Sequence, residues 1–332
     1  MFIGNDKPNS HFNFTYPKIL GKGRVIEVES MFMKAVRSAL LGVLICTAAQ
    51  AQPLVQPIYD AQRAFEQAVA EKGVRPAFLE FLSDDAVIFR PEAVNAREYL
   101  SSRKATAPGV LNRRVNFADI SSNGLLGYTT GEWTFTPKGK PAEAPRFGHY
   151  ATVWSRTLNG KYKAILDIEI NHEQYQKALG LAASKKKGKG DVNKKGWSVT
   201  DATMNFLRMS MSKKGLGSAY DKFAADDVQL LREGLPPIEG RDAAERELDK
   251  YMAVEFPTRV SQFETADMAY SWNPCSYADS NEGMERGNCL HVWKLKDQKW
   301  RIVLGVFARV TNEIKPILRE SDRSVRRRQA TR

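Results

Sequence analysis

The alternation of apolar and polar positions is clearest in residues 147–170, where two runs rich in β-branched and aromatic residues flank Asn159-Gly160. An Asn-Gly pair between two such runs is the strongest short-range signal of a β-hairpin. Residues 287–308 repeat the plan, because Val292-Trp293 stands where the first hairpin has Val153-Trp154. The pattern therefore predicts two copies of one domain.

Ahead of the first hairpin the pattern has the period of a helix and then that of strands. Helices are predicted at residues 59–72, 75–82 and 95–104, the first ending at Gly73 and the third capped by Asn95. Strands are predicted at residues 86–90, 113–120, 124–130, 132–136, 149–156 and 162–170. Helices followed by a long meander of strands are typical of an α+β fold.

The second half repeats this order. Asp201 is expected to cap a helix that runs to Lys214, and residues 241–254 are predicted to form another. Asp226-Asp227 and Arg232 follow Asp84-Asp85 and Arg90 at a constant offset of 142. Further strands are predicted at residues 260–264, 268–272, 288–295 and 300–309. A register held over such a length indicates a tandem repeat.

The charge of the chain changes how this repeat is divided into domains. The formal net charge is +12, but six lysines lie in residues 185–195 and seven basic residues lie in the tail after Ile314. We therefore expect a linker and a tail that are basic, with nearly neutral domains and no nucleic-acid partner. Weak contact of the tail with an anionic cell envelope stays open as an alternative. The predicted segments are 1–51 (over-extended start and signal peptide), 52–177 (first domain), 178–196 (Lys/Gly-rich linker), 197–314 (second domain) and 315–332 (basic tail).

The N-terminal segment has the order of a secretory signal peptide. Lys34 and Arg37 precede an apolar run at residues 39–49, and Ala49-Gln50-Ala51 fits the small residues of a cleavage site. We interpret Met31 or Met33 as the start of translation and expect a periplasmic or secreted mature chain.

Two cysteines remain after such cleavage, Cys275 and Cys289. In an oxidising compartment they are candidates for a disulfide between adjacent strands that flank a polar loop. Two free buried thiols stay open as the alternative, and their spacing matches no zinc pattern, so no metal site is expected.

Several of these motifs together resemble the nuclear transport factor 2-like superfamily, in particular its SnoaL-like bacterial branch. They are the Phe78-x-x-Phe81 segment, Asp84-Asp85-Ala86-Val87 before a strand, the segment Gly127-Tyr-Thr-Thr-Gly131 and the closing hairpin at residues 147–170. The resemblance implies two tandem cone-shaped domains, each a strongly curved antiparallel sheet wrapped around about three N-terminal helices, with a pocket at the open end. It also implies that the two sheets of a tandem chain pack against each other as an intramolecular pseudo-dimer. The superfamily contains both enzymes and binding modules, so the fold alone does not assign a reaction.

In isomerases of this superfamily a pocket carboxylate moves a proton. By that resemblance Asp167 and His149, on neighbouring strands, are the candidate catalytic pair. Unbroken strand alternation argues against it, since it places Asp167 opposite an apolar face formed by Leu166 and Ile168. The candidate ligand-binding residues are Arg90, Tyr150, Glu132, Trp133, Arg232, Tyr270 and His291.

No phosphate loop, paired Cys-x-x-Cys or His-x-x-x-His motif occurs in the sequence. We therefore expect no cofactor and favour an exported protein that binds a small apolar or amphipathic molecule. An acid/base enzyme of the isomerase or hydrolase type and a non-catalytic envelope interaction or dimerisation module are the alternatives.

Overall fold

The computed structural model describes residues 55–102, 109–139, 143–174, 195–255, 257, 260–279 and 283–310. The predicted signal peptide, most of the linker and the basic tail lie outside the described residues. We call residues 55–174 the first lobe and residues 195–310 the second lobe.

The first lobe begins with helices and ends with a meander of strands. Its helices are α1 (Gln56–Lys72), α2 (Val74–Phe81) and α3 (Ala96–Ser102). Its strands are β1 (Leu82–Phe89), β2 (Ala93–Asn95), β3 (Gly109–Ile120), β4 (Leu126–Pro137), β5 (Arg146–Arg156) and β6 (Tyr162–His172). They form one sheet in the order β2-β1-β6-β5-β4-β3, in which β1 and β6 are parallel and the other neighbours antiparallel.

The second lobe follows the same plan. Its helices are α4 (Val199–Ser210), α5 (Gly215–Phe223) and α6 (Arg241–Leu248). Its strands are β7 (Ala224–Arg232), β8 (Ile238–Glu239), β9 (Tyr251–Ala253), β10 (Ser261–Glu264), β11 (Met268–Asp279), β12 (Gly283–Lys296) and β13 (Lys299–Arg309). The sheet order is β10-β11-β12-β13-β7-β8, with β9 paired to β11 and β7 parallel to β13. The predicted α+β class with two curved sheets and their helices is confirmed, and each sheet contains one parallel pair.

One face of each sheet packs on its own helices. In the first lobe Phe65 and Phe78 of the helices meet Trp154 of β5 in one apolar cluster. In the second lobe Phe206 and Phe223 meet Trp293 in the same way. Each tryptophan is positioned by a hydrogen bond from its indole nitrogen to a hydroxyl on the next strand. Trp154 donates to Thr129 over 3.1 Å, and Trp293 donates to Ser271 over 3.0 Å.

The other faces of the two sheets pack against each other. A third cluster of buried apolar side chains draws on both lobes, for example Val153 and Leu166 from the first and Val292 and Leu304 from the second. Across it the ring of Phe89 meets that of Trp272 edge to face, at 5.6 Å between centroids. Both faces of each sheet are therefore buried, which explains why the central strands are apolar on both sides.

A β-bulge in the last strand of each lobe changes which sheet face its apolar side chains occupy. Trp154 pairs with Ala164 but Val153 pairs with Leu166, so Ile165 is an extra residue. Ala164 consequently faces the helices, whereas Leu166 faces the second lobe. Val303 is the corresponding extra residue in the second lobe, because Trp293 pairs with Ile302 and Val292 pairs with Leu304.

An acidic side chain of each lobe contributes to the raised pKa of a buried tyrosine in the other lobe. Burial is the main cause that raises the pKa of Tyr128, and Asp227 of the second lobe adds to it. Burial likewise raises the pKa of Tyr270 to about 12, and Asp85 of the first lobe adds to that. The two tyrosines, and likewise the two aspartates, are 142 positions apart, which is the offset found between the two halves of the sequence.

Polar contacts join the lobes at both ends of this interface. Lys294 donates to both carboxylate oxygens of Asp119, over 3.1 and 3.2 Å, and to the carbonyl of Ile120 over 2.7 Å. At the other end the side-chain amide of Asn171 donates to Glu233 over 2.9 Å. These contacts fix the register in which the sheets pack.

Several boundaries predicted from the sequence are wrong, each for a local reason. Strand β4 continues through Gly131, which was expected to break it. Only glycine fits at this position, because a Cβ would lie 2.5 Å from the hydroxyl of Tyr150. Ser198, and not Asp201, caps α4. Its hydroxyl accepts a hydrogen bond from the backbone amide of Asp201, and the carboxylate of Asp201 accepts one from the backbone amide of Ser198.

Two differences concern the second lobe near its cysteines. The helix predicted to reach Val254 ends at Leu248, and the chain then forms the short strand β9. The segment expected to be a polar loop between the cysteines is mostly the paired strands β11 and β12. The sulfurs of Cys275 and Cys289 are bonded across these strands, at 2.09 Å.

The N-cap predicted at Asn95 in the first lobe is confirmed, since its side-chain oxygen accepts a hydrogen bond from the amide of Glu98 over 2.9 Å.

The interface between the sheets yields a test of its contribution to stability. Leu304 is fully buried between the lobes, whereas Met284 is 59% exposed. We expect Leu304→Ala to lower the free energy of unfolding by about 2–5 kcal/mol, because it leaves a cavity. Met284→Ala, the control, is expected to change it by less than about 0.5 kcal/mol. Urea denaturation of both variants measures the difference, and equal effects would contradict the packing described.

Candidate functional site

The interior of the first lobe contains a buried ion pair. Arg113 of β3 and Asp167 of β6 have side chains that are 0% and 1% exposed. The two terminal nitrogens of Arg113 donate to the two carboxylate oxygens of Asp167, over 3.2 and 2.8 Å. Thr152 donates to the same carboxylate over 2.5 Å. This planar, two-point arrangement is the geometry that an arginine offers to a carboxylate.

The bulge at Ile165 explains why Asp167 lies here. The expectation that Asp167 points away from the helices assumed unbroken alternation along β6. Ile165 shifts that alternation, so Leu166 and Ile168 face the second lobe and Asp167 faces the helices of the first. That expectation is therefore wrong.

Aromatic rings surround the guanidinium. The central carbon of Arg113 lies 3.8 Å from the ring centroid of Tyr150 and 5.2 Å from that of Phe65. Cation–π attraction of this kind is strongest when the cation is desolvated. The carboxylates of Asp167 and Glu169 raise the pKa of Arg113 despite its burial, which keeps it charged. Its Nε atom is buried and has no acceptor among the described residues.

The cluster extends from Tyr150 to a carboxyl group on helix α1. The hydroxyl of Tyr150 donates to Glu66 over 2.8 Å, and the side-chain amide of Gln62 donates to the same oxygen over 3.1 Å. Burial is the largest effect on Glu66 and raises its pKa, although Tyr150 and Gln62 partly counter this. Glu66 is half-buried, so the cluster is partly exposed at this end.

At the other end the cluster is closed by a second ion pair. Glu169 lies 3.5 Å from Arg113 and 3.5 Å from Arg90. Arg90 was a candidate for binding a ligand carboxylate, and here it neutralises Glu169. We call Glu66, Tyr150, Arg113, Thr152, Asp167, Glu169 and Arg90 the polar cluster.

The predicted catalytic pair is not brought together. His149 precedes Ala151 and Val153 on the face of β5 that meets the second lobe, whereas Asp167 lies on the helix face. The Nδ1 atom of His149 lies 2.7 Å from Nε2 of His172, whose own Nδ1 lies 2.7 Å from the carbonyl of Glu173. With His172 donating to that carbonyl, its Nε2 accepts from His149.

The remaining candidates of the first lobe have structural partners. Trp133 is buried and its indole nitrogen donates to the carbonyl of His149 over 3.3 Å. Glu132 forms an ion pair with Arg114 at the surface. Among the described residues, neither side chain forms a hydrogen bond or ion pair with the side chains of the polar cluster.

The second lobe replaces the polar cluster with packed side chains. Gly305 stands where the first lobe has Asp167, and a Cβ there would lie 3.0 Å from the ring of Tyr220 and closer still to its hydroxyl. His291, which pairs with Gly305, stands where the first lobe has Thr152. The ring of His291 packs on Phe206 at 4.8 Å between centroids, and burial lowers its pKa to about 4.

The other candidates in the second lobe lie apart from this position. Arg232 is buried, forms an ion pair with Glu285 and stacks on Tyr251 at 3.9 Å. Arg309 also pairs with Glu285, over 2.6 Å. Tyr270 lies on the face that meets the first lobe. Arg232 and Glu285 thus form a buried ion pair of their own, at a position other than that of Arg113 and Asp167.

Sequence reasoning missed Arg113, Thr152 and Glu66. The sequence did contain a signal for Arg113. It lies two residues from both Leu111 and Val115 on strand β3 and therefore shares their inward face. Glu66 follows the inward Phe65 on a helix, and the sequence gives no sign that it would contact a strand residue.

The described residues contain no group of three or more His, Cys, Asp or Glu side chains arranged to hold a metal ion. Nor, within those residues, is any helix long and apolar enough to cross a membrane.

Several solved structures resemble parts of this chain. A ketosteroid isomerase-like protein from Erwinia carotovora atroseptica matches at 15% identity and a TM-score of 0.31, covering 36% of this chain and 97% of that one. A nuclear transport factor 2-like protein from Shewanella oneidensis matches at 13% identity and a TM-score of 0.29, covering 34% and 95%. A conserved protein from Planctomyces limnophilus matches at 16% identity and a TM-score of 0.29, covering 35% and 94%.

A scan against protein-family models gave no match, and a search of curated proteins gave none either. The matched structures each cover about a third of the chain, at identities below 20%. The fold described above therefore rests on the strand order and packing of this chain, and these likenesses carry no argument about its activity.

Removing one partner of the buried ion pair should be costly. We expect Asp167→Asn to lower the free energy of unfolding by about 3–5 kcal/mol, because the charge of Arg113 loses its counterion in a dry interior. The double variant Arg113→Met with Asp167→Leu should recover most of that loss. Asp84→Asn, at a side chain that is 92% exposed, is the control. Denaturation that shows equal small losses for all variants would refute a buried pair.

Burial of His291 gives a pH dependence of stability. The native ring resists protonation down to about pH 4, whereas an unfolded histidine takes up a proton near its ordinary pKa of 6.5. Its contribution to stability is therefore complete above pH 6.5 and is lost as the pH falls towards 4. As the pH falls from 6.5 to 4, we expect the wild type to lose unfolding free energy relative to His291→Leu, which has no group that titrates at this position. A difference independent of pH would show that the ring titrates normally.

Proposed function

We propose that the protein binds a small amphipathic molecule in the first lobe, at the end of the polar cluster formed by Glu66 and Tyr150. The second lobe would serve as the fixed support of the first. The observation that carries the proposal is the contrast between the lobes. The first keeps a buried cluster of charges where the second has Gly305, His291 and Tyr220.

The energetic cost of that cluster supports a role in function. A buried ion pair is often no more stabilising than apolar residues of the same volume, and the second lobe fills the corresponding positions without one. Sites that break the local rules of packing are expected to be functional. The polar cluster is therefore the best candidate for a site in the described residues.

The chemistry of the cluster indicates the kind of ligand. Asp167 and Glu169 already neutralise Arg113 and Arg90, which leaves little net charge to attract an ion. The buried Nε of Arg113 is a hydrogen-bond donor without an acceptor, and Glu66 accepts hydrogen bonds beside the ring of Tyr150. A neutral polar group attached to an apolar body matches these features.

The rival enzyme based on Asp167 and His149 lacks support in this geometry, since the two side chains lie on opposite faces of the sheet. A proton acceptor in the first lobe would more reasonably be Glu66, whose pKa is raised by burial. No other feature of the described residues favours catalysis over binding.

A thermal-shift screen of amphipathic compounds tests the proposed site. A ligand at about 100 times its Kd should stabilise the native chain by about 2.7 kcal/mol. We expect Tyr150→Phe and Glu66→Gln to weaken any hit by about tenfold, because each removes a hydrogen-bonding group. Glu71→Gln, at an exposed residue of the same helix, should leave it unchanged. Hits that bind equally to all variants would place the site elsewhere.

We also propose that the chain is exported, on the strength of the signal-peptide pattern and the disulfide between Cys275 and Cys289. N-terminal sequencing of the protein from the host cell envelope or medium should then begin near Gln52. A purified chain that retains residues 1–30 would refute cleavage at this place.

A further inference from the structure

An open cleft lies at the end of the first lobe where α1 begins. Its volume is about 430 Å³, within the range of sites for small molecules. The turn between β3 and β4 forms one wall and the hairpin between β5 and β6 forms the other. Among the side chains that line it are Pro57, Ile120, Asn123, Arg156 and Tyr162. None of them belongs to the polar cluster.

Arg156 is the only charged side chain among the described residues that line the cleft. It is exposed, and its Nε donates over 3.4 Å to the carbonyl of Gly160, a long hydrogen bond. The nearby Asp119 and Asp267 face Lys294, which lies 3.1 and 4.0 Å from them. The cleft therefore presents an exposed guanidinium beside a lining that is partly apolar, with Pro57 and Tyr162, and partly polar, with Ser121, Ser122 and Asn123.

The second lobe shows how its own side chains fill the corresponding place. Leu295 stands where the first lobe has Arg156, and Trp300 stands where it has Tyr162. Both pack on the core of the second lobe together with Trp197. The segment before α4 lies against the β12–β13 turn, since the amide of Gly196 donates to the carbonyl of Gln298 over 3.4 Å.

The comparison indicates what the cleft would accept. Where the second lobe has Leu295 and the indole of Trp197, the described residues of the first lobe place a guanidinium and line the cleft. Tyr162 is held on the floor of the cleft by its hydroxyl, which donates to the carbonyl of Gly124 over 2.7 Å. Its ring is thereby fixed as a surface on which a planar group can lie, with the fork of Arg156 next to it.

We propose that this cleft binds a small aromatic carboxylate, whose carboxylate pairs with Arg156 and whose ring lies against Tyr162. The site is separate from the polar cluster and does not depend on the function proposed for it.

Titration of the full chain with phenylacetate, followed by NMR of the ligand and of the protein amides, tests this inference. We expect saturable binding that perturbs amides of residues 121–124 and 156–162. Arg156→Leu, which copies the residue of the second lobe, should weaken the affinity by about tenfold or more. Because Arg156 is exposed, this change should leave the fold intact.

Two controls make the result decisive. Arg63→Leu removes an exposed arginine of α1 and should not alter binding. The neutral analogue phenylacetamide should bind the wild type about tenfold more weakly than phenylacetate. Affinity for phenylacetate that is the same in Arg156→Leu and the wild type, or no saturable binding at millimolar concentration, would overturn the proposal.

Discussion

The packing of one sheet against the other is the interaction on which the rest of the structure depends. A sheet that buries one face on its own helices still exposes the other, and in this chain that other face is also apolar. Val153 and Leu166 in the first lobe and Val292 and Leu304 in the second would face water if the lobes separated. Burial at about 25 cal/mol per Å² of apolar surface makes such separation unfavourable.

The bulges at Ile165 and Val303 reconcile this packing with the chemistry of the interior. Each adds one residue to the last strand and so shifts the alternation of its side chains. Ala164, before the bulge, therefore faces the helices, and Leu166, after it, faces the second lobe. In the first lobe the same shift turns Asp167 towards Arg113. In the second it turns Gly305 towards Tyr220. The same backbone device thus supports a polar interior in one copy and a closed interior in the other.

The α+β order and the hairpins could be predicted from the sequence because they depend on local periodicity and turn residues. The bulge at Ile165 was missed, since one extra residue in a strand leaves no mark on composition. Gly131 was read as a strand end, although its role is to make room for Tyr150. Arg113 was missed because its partner Asp167 lies 54 residues away, and only the fold brings them together.

Calorimetric unfolding of the chain tests the central claim most directly. If the buried faces bind the lobes into one cooperative unit, the chain should show a single transition whose calorimetric and van't Hoff enthalpies agree. Two separate transitions, each with the enthalpy of about 120 residues at about 0.7 kcal/mol per residue, would show that the lobes fold independently and would contradict the account.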